Sequence, residues 1–250
     1  MKIEIREQKI LSLLESRGEI SVSDLSSILG ISVSTLRKQL AVMQEKKLVI
    51  RTYGGVMSVN QHADESFESK IHKAVIEKRR IANKARTLIG DDRSISLGSG
   101  TTVYALCNIL DDLQGVSIYT NSMQSAEYLA LCGSLDVHIS GGIIRAATGT
   151  IIGNEAYEFF RGIQVDSAYI SCDALDERGN VYSDSITVAT VEREVIQNAK
   201  KRYVLCDSTK LGKKSVARIT NIAECDGLIT GNNDSNVVNN LSYVGNIIFA

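Results

Sequence analysis

Two short stretches hold the residues best suited to chemistry, and in both the chemistry is the binding of anions. The first, ISVSTLRKQL (31–40), sets Ser32, Ser34 and Thr35 ahead of Arg37 and Lys38 at the start of a helical pattern. Hydroxyls and free backbone amides in a first helical turn bond phosphate oxygens. An arginine just beyond them can read a guanine edge through paired hydrogen bonds. The second stretch, LGSGTT (97–102), follows an apolar run and puts Ser99, Gly100, Thr101 and Thr102 at the entry to another helical pattern. Amides and hydroxyls there would surround a small anion on the favourable end of the helix dipole. Each stretch alone also fits a plain capped helix or a Gly-Ser turn.

Other candidates are weaker. The acidic run DALDE (173–177) could supply a general base for proton transfer between adjacent carbons, or form a solvated turn. His62, His72 and His138 are scattered without metal-ligand spacing and read as surface or linker residues. The five cysteines, at 107, 132, 172, 206 and 225, show no CxxC and read as reduced thiols. No metal site and no cofactor is expected. The run EKRR (77–80) reads as a charged helix face.

The elements that must position these residues follow from periodicity. Ile10, Leu13 and Leu14 mark a helix over 6–17. Ser21 or Ser23 caps a second, with Leu25, Ile28 and Leu29 inward and Gly30 as its stop. Ser32 caps a third, with Leu36, Leu40 and Met43 buried. LVIRTYGGVMSV (48–59) reads as a β-hairpin about Gly54-Gly55, with Arg51 and Tyr53 as further DNA-facing candidates. Three helices and a hairpin predict a winged helix-turn-helix over 1–58. That segment has nine Lys/Arg against six Asp/Glu (+3), and the remainder nineteen against twenty-three (−4). The basic end permits contact with DNA phosphates.

Residues 59–69 lack periodicity, a helical pattern runs from about 70 to 89, and a linker is drawn at 59–73. From 74 to 250, strand-like runs at SISLG, VSIYTNS, DVHISGG, DSAYISCDA, RYVLCDS, DGLITGN and NIIFA alternate with helical segments. That predicts an α/β domain on a mostly parallel sheet, with any ligand outside the carboxyl ends of its strands. The charged N-terminus is unlike a signal peptide, and no apolar run approaches the ~18 residues of a membrane span. The expectation is a soluble, cytoplasmic protein without membrane contact. One winged helix offers little interface, so a homo-oligomer on paired half-sites is expected. The sequence has no proline, for which we have no functional account.

The N-terminal segment resembles the DNA-binding domain of DeoR-family transcriptional regulators, whose helix reads close to vSxxTiRRDL and whose wing ends in R-x-x-G-G. Ser32, Thr35, Arg37, Lys38 and Leu40 fall on that pattern, and Arg51, Gly54 and Gly55 on the wing; Gln39 stands where the family has Asp. The likeness continues through the second domain. Lys78, Ile81, Ala82 and Ala85 match a K-x-x-I-A-x-x-A helix, and TNS (120–122), SGG (140–142) and DSTK (207–210) match in order. It implies a fold similar to sugar-phosphate isomerases and a repressor of a carbohydrate-use operon, binding operator DNA under a phosphorylated sugar or sugar-acid effector. The implied effector residues are Ser99, Gly100, Thr101, Thr102, Asn121, Ser122, Gly141, Gly142, Asp173 and Lys210. Two departures stand out: Gly98 replaces the Asp before SGTT, and Cys172 replaces the Gly before Asp173. The alternatives are an isomerase-like enzyme with an appended DNA-binding domain, and a DNA-binding protein without an effector.

Overall fold

The computed structural model describes residues 3–17, 20–46, 48–51, 55–58, 65–231, 241 and 243–250. The chain forms two compact units, Met1–Glu65 and Ser66–Ala250.

In the first unit, α1 (Ile3–Arg17), β1 (Ile20–Ser21), α2 (Val22–Leu29) and α3 (Val33–Glu45) lead to β2 (Val49–Arg51) and β3 (Gly55–Ser58). The strands form an antiparallel sheet in the order β1-β3-β2. The short strand β1 was not expected. Ser21 Oγ accepts the amide of Asp24 at 3.0 Å and starts α2. Gly30 ends α2 in the left-handed region, at φ 65°, where glycine alone is unstrained. Ser32 Oγ accepts the amide of Thr35 at 3.3 Å and starts α3. Ile10, Leu14, Leu25, Leu29, Leu36, Leu40, Met43, Val49 and Val56 close one core. Ile28, expected inward, is 38% exposed because α2 turns its 25/29 edge to that core. Gln39 is buried and accepts Arg6 Nη1 from α1 at 3.3 Å, so a neutral amide ties these two helices.

The second unit opens with α4 (Phe67–Ile71) and α5 (Val75–Ile89). The expected linker 59–73 therefore needs correction at its C-terminal end. Phe67 donates its amide to Ala147 O at 2.9 Å and sets its ring edge-on to Tyr104, 5.3 Å away. These contacts fold residues 66–73 with the second unit; residues 59–64, including His62, lie outside the described residues. The expected helix 70–89 is broken at Ala74, which adopts φ 50° between α4 and α5.

Seven parallel strands then form one sheet. In chain order, with the intervening elements, the chain runs β4 (Ser94–Leu97), α6 (Thr101–Cys107), β5 (Val116–Thr120), α7 (Met123–Ala130) and β6 (Leu135–Ile139). The pair β7 (Ile143–Ile144) and β8 (Ile151–Ile152) precedes α8 (Asn154–Arg161), β9 (Val165–Ser171), β10 (Ala174–Leu175) and β11 (Asn180–Ser183). There follow α9 (Ile186–Gln197), β12 (Ala199–Leu205), β13 (Ala217–Asn221), β14 (Gly227–Thr230) and β15 (Ile247–Phe249). The sheet order is β15-β14-β12-β9-β4-β5-β6, and every pairing in it is parallel. Helices cover both faces, which explains the near-continuous burial along β9 and β14. On one face Ile81, Ile89, Val103, Leu106 and Leu129 pack on Ile95, Leu97, Tyr169 and Leu205. On the other, Phe160, Ala189, Val195 and Ile196 pack on Ile170, Val204 and Leu228. From the central β4–β9 pair the chain winds outward through β5 and β6 on one side and through β12, β14 and β15 on the other. In open sheets such a reversal leaves a crevice at the carboxyl ends of the two strands. A second, antiparallel sheet, β10-β11-β13, was not expected. Among the described residues no helix is long and apolar enough to cross a membrane.

Candidate functional site

Two surfaces collect the sequence-derived residues, one in each unit. On the first, Ser32, Ser34, Thr35, Arg37 and Lys38 are all exposed at the N-terminal end of α3, while Leu36 and Leu40 are fully buried beneath it. The Ser32 hydroxyl lies 3.0 Å from Ser34 Oγ and 2.8 Å from Thr35 Oγ1, so the cap orders the turn that carries Arg37. Residues 34, 37 and 38 share one helical face by their spacing. Arg51 is exposed on β2, and Tyr53 lies outside the described residues. A capped helix that follows a helix and a glycine turn, with cations on its outer face, suits entry into a major groove.

In the second unit a cleft opens where the fold leaves its crevice. Gly100, Thr101 and Thr102 follow β4, Ser171, Cys172 and Asp173 end β9, and Asp207, Thr209 and Lys210 follow β12. Lys70, Lys73 and Lys78 complete the lining from α4, α5 and the turn between them. Five of the ten expected effector residues are thus brought together: Gly100, Thr101, Thr102, Asp173 and Lys210. Gly100 adopts φ 109° with the Ser171 hydroxyl where a Cβ would lie, so no larger residue fits this approach.

The other five are placed elsewhere. Ser99 donates both its amide and its hydroxyl to Glu192 Oε1, each at 2.7 Å. Asn121 is fully buried, its Nδ2 3.5 Å from both Ile151 O and Glu192 Oε1. Ser122 caps α7 by accepting the amide of Ser125 at 3.3 Å. Gly141 and Gly142 sit in the exposed turn between β6 and β7. These residues shape the strand ends but do not line the cleft. Their polar character fits a ligand site and an internal hydrogen-bond network equally well, and local sequence does not separate the two.

Sequence reading missed Lys70, Lys73, Ser171, Asp207 and Thr209, and took Lys78 as a helix position only. Lys78 is 5% exposed; it donates to Thr101 Oγ1 at 2.9 Å and to Lys70 O at 2.6 Å. Lys70 pairs with Asp173 Oδ1 at 2.6 Å, while Asp173 Oδ2 accepts the Asp184 amide at 3.0 Å and the Ser183 hydroxyl at 3.2 Å. Burial pushes the Asp173 carboxyl up, but the Lys70 ammonium and the Asp184 amide outweigh it and hold the group below its ordinary value. Asp207 Oδ1 accepts the amide and hydroxyl of Thr209. From α5, Glu77 accepts Ser208 N at 2.9 Å and Ser208 Oγ at 2.7 Å, which fixes the turn carrying Lys210. Both aspartates of the cleft are therefore engaged within the protein.

Asp176 is equally committed. Its oxygens accept the amides of Arg178 and Asn180 at 2.9 and 3.0 Å and the Tyr182 hydroxyl at 2.9 Å. It builds the turn into β11 and leaves no geometry for proton transfer to a substrate. His138 stacks on Tyr119 with ring centroids 4.7 Å apart, and His72 is exposed. All five cysteines are free.

Glu192 on α9 is a strongly perturbed carboxyl beside the Ser99 turn. It is 2% exposed, and burial pushes it up to about 7 against the lowering effect of Ser99 and Asn121. A carboxyl raised in the folded state stabilises the protein fully below its unfolded value near 4.5, and that contribution is lost as pH rises through 7. Glu192→Gln should therefore gain stability relative to the unsubstituted protein between about pH 5 and pH 8, on the order of 1 kcal/mol. Paired thermal melts across that range check it. A difference in Tm that does not vary with pH would show that Glu192 does not titrate there.

Residues 6–62 match the DeoR-like helix-turn-helix domain, and residues 73–232 match the DeoR C terminal sensor domain. The chain is 27% identical to the glycerol-3-phosphate regulon repressor of Haemophilus influenzae, over 96% of this chain and 94% of that protein. It is 28% identical to the HTH-type transcriptional regulator GolR of Listeria innocua, over 91% and 90%. A putative aga operon transcriptional repressor of Escherichia coli O157:H7 is 26% identical, over 90% and 84%. Among solved structures, a D-ribose-5-phosphate isomerase in complex with phospho-erythronic acid aligns with 53% of this chain and 52% of its own, at 20% identity and a TM-score of 0.40.

Proposed function

The chain belongs to the DeoR family of DNA-binding transcriptional regulators, and from that premise we propose that it represses a carbohydrate-use operon under control of a phosphorylated sugar or sugar-acid. The observation that carries the effector reading is the charge of the cleft. Four lysines and three threonines line it, against two aspartates, of which Asp173 is paired with Lys70 and Asp207 holds the amide of Thr209. Such a set suits a phosphate dianion, which takes charge-assisted hydrogen bonds from ammonium groups and bonds from hydroxyls. Ser171, Cys172 and Asp173 line the same cleft and would border the carbohydrate part of such a ligand. A relative named for the regulon of glycerol-3-phosphate, a small phosphorylated polyol, supports the phosphate reading.

In this reading Ser32, Ser34, Thr35 and Lys38 hold DNA phosphates, Arg37 reads a base edge, and Arg51 and Tyr53 of the wing contact the backbone. A homo-oligomer presents two such helices to paired half-sites. A thermal-shift screen against phosphorylated sugars and sugar-acids tests the effector. The true ligand should raise Tm with concentration, adding about 2.7 kcal/mol at a hundredfold excess over Kd. Its unphosphorylated counterpart should have no effect. A panel in which phosphorylated and plain sugars behave alike would remove the phosphate from this account.

A further inference from the structure

Gly98 precedes the Ser99–Thr102 turn and is buried, although its backbone needs no glycine conformation. The reason for glycine lies 94 residues away in sequence. A Cβ at position 98 would overlap Glu192 Oε2 and lie 2.9 Å from Glu192 Cδ. Nor is that carboxyl a loose chain end able to swing aside. Its Oε1 is fixed by the Ser99 amide and hydroxyl, with Asn121 Nδ2 beside it, and the residue is enclosed between α9 and the strand ends. Its other oxygen has no hydrogen-bond partner among the described residues and fills the volume a side chain at 98 would occupy.

We propose that Gly98 and Glu192 form a matched pair, in which a carboxyl group delivered from α9 positions the Ser99–Thr102 loop for anion binding. The Ser99 anchor sits one residue before Gly100 and two before Thr101, so Glu192 acts through the loop and touches no ligand itself. It is a positioning residue. A second strut holds the same turn from β9, where the Ser171 hydroxyl donates to Ser99 O at 3.0 Å. The amide and the carbonyl of Ser99 are thus both held, and the two threonines emerge from a fixed point. The absence of a side chain at 98 is then a requirement of the site and no sign of its decay. The proposal rests on the phosphate reading of the cleft.

The test is a double-mutant cycle on the full chain, read both as Tm and as the affinity for inorganic phosphate. Gly98→Ala should lower Tm by roughly 3–10 °C, the cost of overpacking a core position. In the background of Glu192→Ala or Glu192→Asp, which withdraw the carboxyl, the same change should be nearly neutral. Glu192→Ala should weaken phosphate roughly tenfold through loss of the loop anchor. Glu192→Gln keeps an acceptor for Ser99 and should bind phosphate almost as the unsubstituted protein does. Glu192→Asp provides the same reading if the alanine variant does not fold. Additive Tm changes, or phosphate binding indifferent to Glu192→Ala and Glu192→Asp, would overturn the pair while leaving the cleft intact. If the unsubstituted protein itself fails to bind phosphate, the phosphate reading falls and the proposal with it.

Discussion

Lys210→Ala is expected to weaken the phosphorylated effector by about 10–100-fold and to leave DNA affinity unchanged when no effector is present. The magnitude is that of a hydrogen bond to a charged group, about 1.5–3 kcal/mol, at 1.4 kcal/mol per tenfold. The selectivity follows from where Lys210 sits. Its turn is held by Asp207 and by Glu77, and among the described residues its ammonium makes no ion pair that would be lost with it. Lys70→Met should behave differently, because Lys70 is part of α4 and ties that helix to Asp173. It should weaken the effector and also alter DNA binding in its absence, since α4 is the first element after the DNA-binding unit. A ligand shifts a conformational equilibrium only by its difference in affinity for the two states. An anion that draws Lys70 away from Asp173 has such a difference. Calorimetry for the effector and mobility-shift assays without it separate the two variants. Unchanged effector affinity in Lys210→Ala would put the phosphate elsewhere.

On the operator, Arg37→Ala should cost about 1–3 kcal/mol and relax preference at one base position. Thr35→Ala should weaken operator and random DNA alike, because a phosphate contact carries no sequence information. Arg37 is exposed and its helix is anchored by Leu36 and Leu40 at full burial, so neither change should disturb the fold. Equal losses for both variants on every sequence would assign Arg37 to the backbone.

What could be read from the sequence was what local chemistry specifies. Most of the seven parallel strands are short apolar runs ended by small polar residues, and the Ser32 cap and Gly30 stop are visible in the order of residue types. The missed features depend on partners distant in sequence. Strand β11 pairs with β13 some forty residues on, and two-residue strands such as β10 carry no period of their own. Lys70 and Lys73 were hidden because an uninterrupted helical pattern over 70–89 conceals the break at Ala74. TNS looked like a ligand-binding strand end, whereas Asn121 faces a buried glutamate and Ser122 caps a helix. Gly98 looked like a loss until Glu192 was found to occupy its place.

The cleft takes its walls from residues 70–78, 100–102, 171–173 and 207–210, so it exists only once most of the second unit has been made and folded. The helix-turn-helix is finished within the first unit, whose core is made of residues 10 to 56. Chains are synthesised from the N-terminus at about 5–20 residues per second. Completing the 185 residues of Ser66–Ala250 then takes roughly ten to forty seconds more. During that interval the first unit, with its own core, can fold ahead of the sensor domain. On the proposed binding to paired half-sites, a half-made molecule has one winged helix and so holds DNA weakly.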